Sequence, residues 1–495
     1  MKSKHMQCIG CGSEIASHGT SDYRCVSCGM TFPSIDGIGI FLPKPMASLF
    51  GFLDEIESAQ FAFEKTQAEL GEYLDQNPAS ELSARIRKTL SGMECNLRLL
   101  KQQCAPIQNY LNGFSRQEDF LSWASVQTAY SYNHMLGYFY QDWHPTADFV
   151  SATSLFERVI LEHCRDKASA VVLGAGACGL LHAISGHFGQ AIGIDLSLPT
   201  LLTAKDLMAG NPLTVHIEKA AWNEAVISPP PKPPYNLTLL VANAMNVPLK
   251  NSTASVVLTQ HAPEFNTVGL MGEIHRILAP DGLWINLSPG FIFPGDPGVL
   301  GGRNLGESLS YIHKRGFSLV DSRIHRFRMH DFESINRESG TVEKNIHFFA
   351  ARKSTVLDIT ANSYKSNDPG IFWQAIPKMA DEQMLSLIQR KTFTGVRIEN
   401  RMELGIRDYL LPIGGTYYHI ADALFSSIDG KRRLSEVYDN LLAQQITLSE
   451  SEFIEIVGFL AMECGIINYH ATDNRLDKPS RYLSTESPPV ASRHE

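Results

Sequence analysis

Residues 170–197 read AVVLGAGACGLLHAISGHFGQAIGIDLS, and the rest of the chain is arranged around this segment. It predicts an apolar β-strand, a glycine-rich turn, a short helix and a second strand that ends at Asp195. Gly174, Gly176 and Gly179 let the backbone approach a ligand, and the first helical turn then presents free N–H groups. The Asp195 carboxylate can accept hydrogen bonds from two ribose hydroxyls. The stretch therefore predicts a nucleoside-cofactor site, compatible with either NAD or S-adenosylmethionine (SAM).

Composition sets broad limits on the whole chain. Its 495 residues are too many for one core and predict about three domains. A net charge of −9 and a pI near 6.0 argue against a chain built to bind nucleic acid. The opening MKSKHMQC has no apolar signal segment, and no apolar run reaches the length of a membrane span. We therefore expect a cytoplasmic protein with no membrane partner.

Four of the nine cysteines form a pattern typical of a metal site. They occur as CIGC and CVSC, at Cys8, Cys11, Cys25 and Cys28. Each CxxC pair offers two thiolates, and two such knuckles complete a tetrahedral Zn²⁺ site whose four protein ligands make it structural. The other five cysteines are scattered, which fits a reducing compartment. A redox pair is the alternative for the four.

The region 46–150 is predicted to be a helical cap, because its apolar residues recur at helical spacing and Asn77-Pro78 interrupts them. Within it, residues 129–149 are dense in aromatic side chains. One interpretation is an amphipathic helix packed on the next domain. The other is a helix that covers the cofactor pocket and contributes to the substrate wall, through Tyr138, Asp142 and Trp143.

Residues 151–355 alternate strands and helices, which predicts a Rossmann-like parallel sheet with helices on both faces. Two strands in close succession at the end predict an antiparallel hairpin at one edge. The proline-rich run SPPPKPP at 228–234 cannot be helix or inner strand, and it predicts an exposed insertion. The expected strands after the second are 236–242, 255–259, 282–288, 317–329 and 345–353.

Two stretches decide between the cofactors. ANAMNVPLKNSTASVVLT (242–259) resembles the class I methyltransferase run GDAxxLPfxDxSFDVV, with Asn243 at the position of the adenine-binding aspartate. EIHRILAPDGLWI (273–285) resembles the helix, turn and strand that follow in that family. An amide at Asn243 can still accept from the adenine amino group and donate to a ring nitrogen. The resemblance implies SAM, held by Gly174, Ala175, Gly176, Gly179, Asp195, Leu196, Asn243, Ala244 and Gln260.

Between about 125 and 353 the chain resembles the carnosine N-methyltransferase-like family more specifically. The matching pieces are YFYQDW (138–143), VVLGAGACG (171–179), GLWINLSP (282–289), SLSYIHKRGFSLV (308–320) and HFFAARK (347–353). The head, through YRCVSCGMTFPSIDGIGIFLP, resembles the zinc ribbon that precedes the catalytic domain of several class I methyltransferases. These resemblances imply methyl transfer to a nitrogen, which in the type member belongs to the imidazole of a histidine dipeptide.

The chain also departs from this family. Ala262 stands where the family has a substrate-holding acid, and Val342, Glu343 and Lys344 replace its tyrosine cluster. Cys178 occupies the position of the third glycine. The cofactor half is thus retained and the substrate half is altered, so carnosine itself is not the expected substrate.

The segment TQHAPEFN (259–266) follows the fourth strand, where the methyl acceptor is expected. Glu264 and His261 are the candidate catalytic residues, since they could orient or deprotonate an imidazole or amine. The alternatives are that Glu264 only caps the next helix and that His261 only packs against the cofactor. Further candidate substrate contacts are Asn266, Asn286 and Ser288.

The chain's last part differs again in composition. Residues 356–472 resemble the small winged-helix module typified by the PqqD peptide chaperone, through ALFSSIDGKRRLSEVYDNL and ITLSESEFIEIVGFLAMECGIIN. Such modules hold a leader peptide by adding its strand to a sheet edge; a generic winged helix for packing or dimerisation is the alternative. Residues 473–495 predict a disordered tail.

The sequence thus predicts a SAM-dependent N-methyltransferase with a zinc ribbon at 1–45, acting on a small molecule or a histidine- or amine-containing peptide, such as a ribosomally made one. Two alternatives remain open. The zinc head also fits an RNA base methyltransferase, against which the acidic balance argues. Asn243 and the displaced glycine also fit a catalytically weak binding scaffold.

Overall fold

A computed structural model describes the protein in two blocks. Before residue 355 it covers 5–18, 22–115, 132–143, 147–217, 223–260, 267–288, 312–313, 315–330 and 341–354. Beyond 355 it covers 373–374, 376–379, 385–393, 398–406, 409–413, 420, 423–446, 448–450, 453–454, 456–457 and 467–470. The chain divides into two compact units: the first consists of 1–264, 273–291 and 303–356, and the second of the remainder. No helix of these residues is both long and apolar enough to cross a lipid bilayer.

The N-terminal module is a small antiparallel sheet followed by a hairpin. Its strands are β1 (Ile15–His18), β2 (Asp22–Cys25) and β3 (Thr31–Phe32), and the hairpin consists of β4 (Ser34–Ile35) and β5 (Ile38–Phe41). Both residues of the hairpin turn, Asp36 and Gly37, have positive φ angles of 51° and 75°. Two positive φ values in a two-residue loop are typical of a type I′ turn, which Asp-Gly favours.

Two long helices come next, α1 (Pro45–Gln76) and α2 (Glu81–Leu111). The predicted break at Asn77-Pro78 is confirmed, because α1 ends one residue before it. Ser80 caps α2 by accepting a hydrogen bond from the Ser83 N–H at 3.0 Å, the usual role of serine at this position. Two shorter helices follow, α3 (Tyr132–Trp143) and α4 (Ala147–His163).

The first unit is organised by a nine-stranded sheet. The remaining elements before residue 355 are, in chain order, β6 (Ser169–Leu173), α5 (Gly179–Ser185), β7 (Gln190–Asp195), α6 (Leu198–Met208), β8 (Leu213–Ile217), β9 (Asn223–Ile227), β10 (Leu237–Ala242), β11 (Ala254–Gln260), α7 (Thr267–Ile277), β12 (Leu278–Ser288), β13 (Phe317–His330) and β14 (Thr341–Lys353). The order across the sheet is β13-β14-β12-β11-β6-β7-β10-β5-β4. β10, β7, β6, β11 and β12 run parallel, and β14 lies antiparallel between β12 and β13.

This strand order confirms the predicted fold class. The strands of this sheet from β6 onward can be numbered 1 to 7 in chain order, because β8 and β9 form a separate pair. Without the two N-terminal strands, the order across the sheet is then 3-2-1-4-5-7-6, and strand 7 lies antiparallel between strands 5 and 6. That is the order of the Rossmann-like class I methyltransferase fold, and the predicted edge hairpin is its β13–β14 pair. The sequence did not indicate that β5 extends the sheet beyond β10, where Gly39, Ile40 and Phe41 pair with Leu240, Val241 and Ala242.

Both faces of the sheet are covered by apolar side chains, as a buried parallel sheet requires. On one face, Val172, Leu258 and Ile285 belong to the same buried cluster as Phe156 of α4. On the other, the buried Trp284 ring meets the Phe349 ring edge to face, with centroids 4.8 Å apart.

Two local features go beyond the sequence analysis or correct it. In the region 211–235, where the sequence indicated only the exposed proline run 228–234, the chain forms the antiparallel pair β8–β9 before that run. The buried Asn96 amide fixes this hairpin to α2, since it donates to the His216 carbonyl at 2.8 Å and accepts from the His216 N–H at 3.0 Å. Helix α7 ends at Ile277, and β12 begins at once with Leu278 rather than at the expected residue 282.

The second unit contains strands that the sequence analysis did not predict. β16 (Leu385–Phe393), β17 (Ile398–Ile406) and β18 (Tyr409–Ile413) form an antiparallel meander. β15 (Ile376–Met379) pairs antiparallel with β19 (Ile467–His470), and α8 (Leu434–Ala443) lies between them in the chain. The Trp373 and Phe453 rings are stacked with centroids 5.6 Å apart, and Tyr438 lies 5.1 Å from Phe453.

Candidate cofactor and metal sites

The glycine-rich turn after β6 is held against the end of β7. Gly174 and Ala175 both donate backbone hydrogen bonds to the Ile194 carbonyl, at 2.9 and 3.0 Å. Gly174 and Gly176 have φ angles of 70° and 49°, a conformation that favours glycine. A Cβ added to Gly176 would meet no atom within 4 Å, so open space adjoins the turn there.

Asp195 closes the turn from the carboxyl end of β7. Its Oδ2 accepts from the Gly176 N–H at 2.8 Å, and its Oδ1 accepts from the Ser197 N–H at 2.9 Å. Burial raises the pKa of Asp195, and these backbone hydrogen bonds oppose the rise. An ionised carboxylate has about four acceptor positions, so Asp195 can also accept from the hydroxyls of a ribose.

The last turn of α3 contacts the same glycine-rich turn. The Asp142 Oδ2 accepts from the Gly179 N–H at 3.3 Å, and the Trp143 indole N–H donates to the Ala177 carbonyl at 2.7 Å. Trp143 also lies 5.2 Å from the His182 ring of α5, between centroids. Tyr138, the third residue proposed from this helix, is half-buried against the apolar core. The polar groups of Asp142 and Trp143 thus engage the turn itself.

Gly179 and Cys178 have different reasons for their residue types. A Cβ on Gly179 would lie 2.5 Å from the Asp142 Cβ, so this glycine is needed for the close approach of α3 to α5. Cys178 is fully buried at φ 65°, the left-handed conformation in which the family's glycine is favourable. Burial raises the pKa of the Cys178 thiol, which therefore stays protonated.

Asn243 lies at the end of β10, in the turn before β11. Its Oδ1 accepts from the Met245 N–H at 2.9 Å, and its carbonyl accepts from the Asn246 N–H at 2.9 Å. The side chain therefore shapes the turn. Ala244, Leu196 and Gln260 are all half-buried. The predicted cofactor residues thus lie at the carboxyl ends of four neighbouring strands, β11, β6, β7 and β10.

A buried ion pair that the sequence analysis did not single out holds the Asn243 turn, residues 243–250, in place. Arg276 and Glu273 are 2.6 Å apart and almost fully buried. Arg276 donates to the carbonyls of Leu249 at 2.6 Å and Val247 at 3.1 Å, and Glu273 accepts from the Val247 N–H at 2.7 Å. The E-x-x-R spacing in EIHRIL is the signal for this pair, because it places both side chains on one helical face.

Three predicted acceptor-site residues, His261, Glu264 and Asn266, lie outside the described residues. Asn286 and Ser288, on β12, are fully buried. The Asn286 Oδ1 accepts from the Thr259 hydroxyl at 2.7 Å, and its Nδ2 meets no acceptor in the part of the chain that the structure describes.

His347 was missed by the sequence analysis. It lies on β14 directly opposite Ser288 of β12. Burial lowers the pKa of His347, which favours the neutral imidazole. Only the register of the terminal hairpin brings it to this end of the sheet.

The four N-terminal cysteines come together as predicted. Their sulfur atoms all lie within 4.8 Å of one another, with Cys8 and Cys28 at 3.7 Å and Cys11 and Cys25 at 3.4 Å. The edge of a tetrahedron with Zn–S bonds of about 2.3 Å is about 3.8 Å. The cluster therefore fits a tetrahedral metal ion.

The two knuckles repeat the same backbone geometry. Gly12 and Gly29, one residue after each CxxC pair, have φ angles of 74° and 76°. Their N–H groups donate to the carbonyls of Cys8 and Cys25, at 2.9 and 3.2 Å. Further N–H groups point at sulfur, from Gly10 to Cys8 at 3.4 Å and from Cys28 to Cys25 at 3.5 Å. Burial raises the pKa of the Cys8 thiol, and the contact from the Gly10 N–H opposes this rise in favour of the thiolate form that a metal requires.

Comparisons with known proteins give structural similarity only. No family model and no curated protein matches the chain. A SAM-dependent methyltransferase from Methanosarcina mazei is similar at 13% identity, with 40% of this chain and 97% of that chain covered and a TM-score of 0.27. For an N-methyltransferase from Haemonchus contortus, solved with phosphomonomethylethanolamine and S-adenosylhomocysteine, the identity is 16%, the coverages are 48% and 60%, and the TM-score is 0.31. The [4+2]-cyclase SpnF is similar at 14% identity, with 44% of this chain and 91% of that chain covered and a TM-score of 0.32.

At these values the comparisons carry no argument about activity. The assignment of the fold rests on the strand order and the site geometry described above, and the chemistry has to be argued from this chain's own residues.

Proposed function

We propose that this chain is a SAM-dependent methyltransferase. The observation that carries the proposal is the placement of three features on adjacent parallel strands: the glycine-rich turn after β6, Asp195 after β7 and Asn243 after β10. Ligands of open α/β sheets bind beyond the carboxyl ends of the strands. One nucleoside can therefore reach all three features at once.

Each feature suits one part of SAM. The open side of the glycine-rich turn would accommodate the methionine portion, and Asp195 would accept from the ribose hydroxyls. The Asn243 amide would pair with adenine. When bound, SAM supplies an electrophilic methyl group on a sulfonium. The task left to the chain is to hold a nitrogen lone pair about 3 Å from that methyl group and in line with it.

The proposed acceptor is a histidine or amine nitrogen of a peptide or small molecule. The resemblance to the carnosine N-methyltransferase-like family supports it, as do Glu264 and His261 after the fourth strand. The neutral His347 imidazole adds a further support, because a neutral imidazole can take a proton from an acceptor that arrives as an ammonium ion. Asn266, Asn286, Ser288, Tyr138, Asp142 and Trp143 remain proposed substrate contacts.

We also propose that the four-cysteine cluster holds Zn²⁺ in a structural role and that the C-terminal unit binds the leader of a ribosomally made peptide. The sulfur geometry supports the first. The second rests on the sequence resemblance. A cytoplasmic location is proposed from the cysteine usage and the apolar profile.

Calorimetry with S-adenosylhomocysteine (SAH), the non-reacting product, tests the cofactor assignment. We expect wild type to bind it and Asp195→Ala to bind at least tenfold more weakly, or about 1.4 kcal/mol. Asp206→Ala is the matched control, since that carboxylate lies on α6 and accepts from Asn211 just after the helix. A protein that binds no SAH, in wild type and in Asn243→Asp alike, would be a scaffold instead.

A second candidate function is RNA base methylation, which the four-cysteine head favours. Incubation with methyl-labelled SAM and either histidine-containing peptides or total RNA separates the two. Label in peptide supports our choice, and label in RNA alone overturns it.

A further inference from the structure

The four-cysteine cluster contacts the turn that carries Asn243. The Asn246 Nδ2 donates to the carbonyl of Ile9 at 3.3 Å. Ile9 lies inside the first knuckle, between Cys8 and Cys11. The Asn246 backbone N–H donates to the Asn243 carbonyl at 2.9 Å. Two hydrogen bonds therefore connect the metal knuckle to the proposed adenine residue.

Backbone hydrogen bonds also connect the residues next to Ile9 with the residues next to Asn246. The Gln7 N–H donates to the Pro248 carbonyl at 3.1 Å, and the Lys250 N–H donates to the His5 carbonyl at 2.9 Å. Between them Met6 and Leu249 form an antiparallel bridge, and both side chains are buried. The residues just before the first knuckle thus form a short backbone ladder with the second half of the Asn243 turn.

A separate attachment lies at the sheet edge. Phe41 of β5 pairs with Ala242, the residue before Asn243. The Phe41 ring lies 5.3 Å from that of Tyr23 and 5.0 Å from that of Phe32, between centroids. Those two rings belong to β2 and β3 of the N-terminal sheet. The module is therefore packed against both the strand and the turn that present Asn243.

We propose that Asn246 is a positioning residue that couples metal binding at the four cysteines to nucleoside binding at Asn243. The inference rests on the proposed SAM site. A CxxC knuckle has few contacts of its own, and a structural metal supplies the free energy that orders it. With the metal bound, the Ile9 carbonyl is fixed and Asn246 holds the turn. Without the metal, Asn246 loses the fixed Ile9 carbonyl as its partner. Part of the free energy of nucleoside binding is then used to order the turn.

The coupling is reciprocal by thermodynamic linkage, so bound nucleoside should raise the affinity of the four cysteines for the metal by the same factor. Binding couplings of this kind commonly amount to 5- to 150-fold, and we expect about tenfold here. The expected result is that SAH binds about tenfold more weakly to chelator-stripped than to zinc-loaded protein.

The test compares SAH affinity by calorimetry in both metal states of each variant. Asn246→Asp keeps the shape but turns a carboxylate oxygen toward the Ile9 carbonyl, and Asn246→Ala removes the contact. Both should weaken SAH binding by zinc-loaded protein and abolish the difference between the metal states. Asn96→Ala, which removes a buried amide bonded to the His216 backbone, is the matched control and should keep the difference.

A second readout does not depend on the nucleoside. Amide hydrogen exchange in residues 243–250 should accelerate when zinc is removed from wild type, and it should already be fast in zinc-loaded Asn246→Ala. If the stripped module unfolds, the zinc-loaded variants still decide the role of Asn246.

The outcomes separate this inference from the proposed function. Equal SAH affinity in both metal states of wild type, or normal affinity in both zinc-loaded Asn246 variants, overturns the coupling and leaves the cofactor site standing. A protein that binds no SAH in any form overturns the cofactor site. In that case unchanged exchange at 243–250 on zinc removal overturns the coupling between the module and the turn as well.

Discussion

Asp142 of the aromatic helix α3 packs directly against Gly179, the residue that ends the glycine-rich turn and begins α5. The Asp142 carboxylate accepts from the Gly179 N–H at 3.3 Å, across 37 positions of sequence. The approach is tight, because a methyl group on Gly179 would lie 2.5 Å from the Asp142 Cβ and 3.0 Å from its carbonyl oxygen. Gly179 is thus required because a side chain would not fit there, whereas Gly174 and Gly176 are favoured by their positive φ angles.

Gly179→Ala should therefore destabilise the protein and weaken SAH binding. Overpacking of this kind costs about 1–3 kcal/mol, since α3 has to move away from α5. Urea unfolding measures the loss, and calorimetry measures the affinity. Gly186→Ala is the matched control, because Gly186 has an ordinary helical φ of −64° and nothing lies within 4 Å of its added Cβ. Equal stability of the two variants would show that α3 does not pack on Gly179.

Asp142 should also make stability depend on pH. Burial raises the pKa of Asp142 from 3.8 to about 7. Between about pH 4 and pH 7 the folded state therefore binds a proton that the unfolded chain releases, so the free energy of unfolding falls as pH rises through this window. Asn keeps an acceptor for the Gly179 N–H and does not titrate.

We accordingly expect Asp142→Asn to be more stable than wild type at about pH 8 and to lose little of that stability with rising pH. The limit of the effect is about 4 kcal/mol, at about 1.4 kcal/mol per pKa unit. Urea unfolding at several pH values measures both slopes. Parallel curves for the two proteins would mean that Asp142 does not titrate in this window.

The sequence predicts the central sheet well because each strand carries its own apolar pattern and the family motifs fix the order. Asp195 after β7 and the four-cysteine spacing are likewise local signals. The contact of Asp142 with Gly179 is not local, and no periodicity in α3 indicates which residue it meets. The same applies to β5, whose partner β10 is 201 positions away, as with Ile40 and Val241. The strands β16–β18 were missed because the two segments that carry the winged-helix resemblance, 423–441 and 446–468, do not include residues 385–413.

The ion pair Glu273–Arg276 gives a third prediction. Arg276 makes five hydrogen bonds, to Glu273, Val247, Leu249 and Asn251, and its side chain is 4% exposed. Arg276→Ala leaves Glu273 buried without its partner, which typically costs about 3–5 kcal/mol. Lysine cannot reproduce the planar fork of donors, so Arg276→Lys should also lower stability and loosen the Asn243 turn.

Urea unfolding and SAH calorimetry together check this prediction. Arg98→Lys is the matched control, since Arg98 pairs with Glu94 on an exposed helix face at 3.4 Å. Exposed pairs of this type contribute about 0.3–0.5 kcal/mol. Similar small losses in Arg98→Lys and Arg276→Lys would argue against a role for the pair in holding the turn.

Metal content provides the last prediction. The protein should bind one Zn²⁺ per chain, and Co²⁺ in its place should give the visible d–d bands and the near-ultraviolet thiolate charge-transfer bands of a tetrahedral four-sulfur site. Cys28→Ser removes one ligand and should abolish this stoichiometry and these bands. Cys95→Ser should retain both, because Cys95 lies on α2 and is not part of the cluster. Metal retained equally by both variants, or bands absent from wild type, would contradict a four-cysteine site. Since the first knuckle contacts the Asn243 turn through Asn246, the Cys28→Ser protein should also bind SAH more weakly than the Cys95→Ser protein.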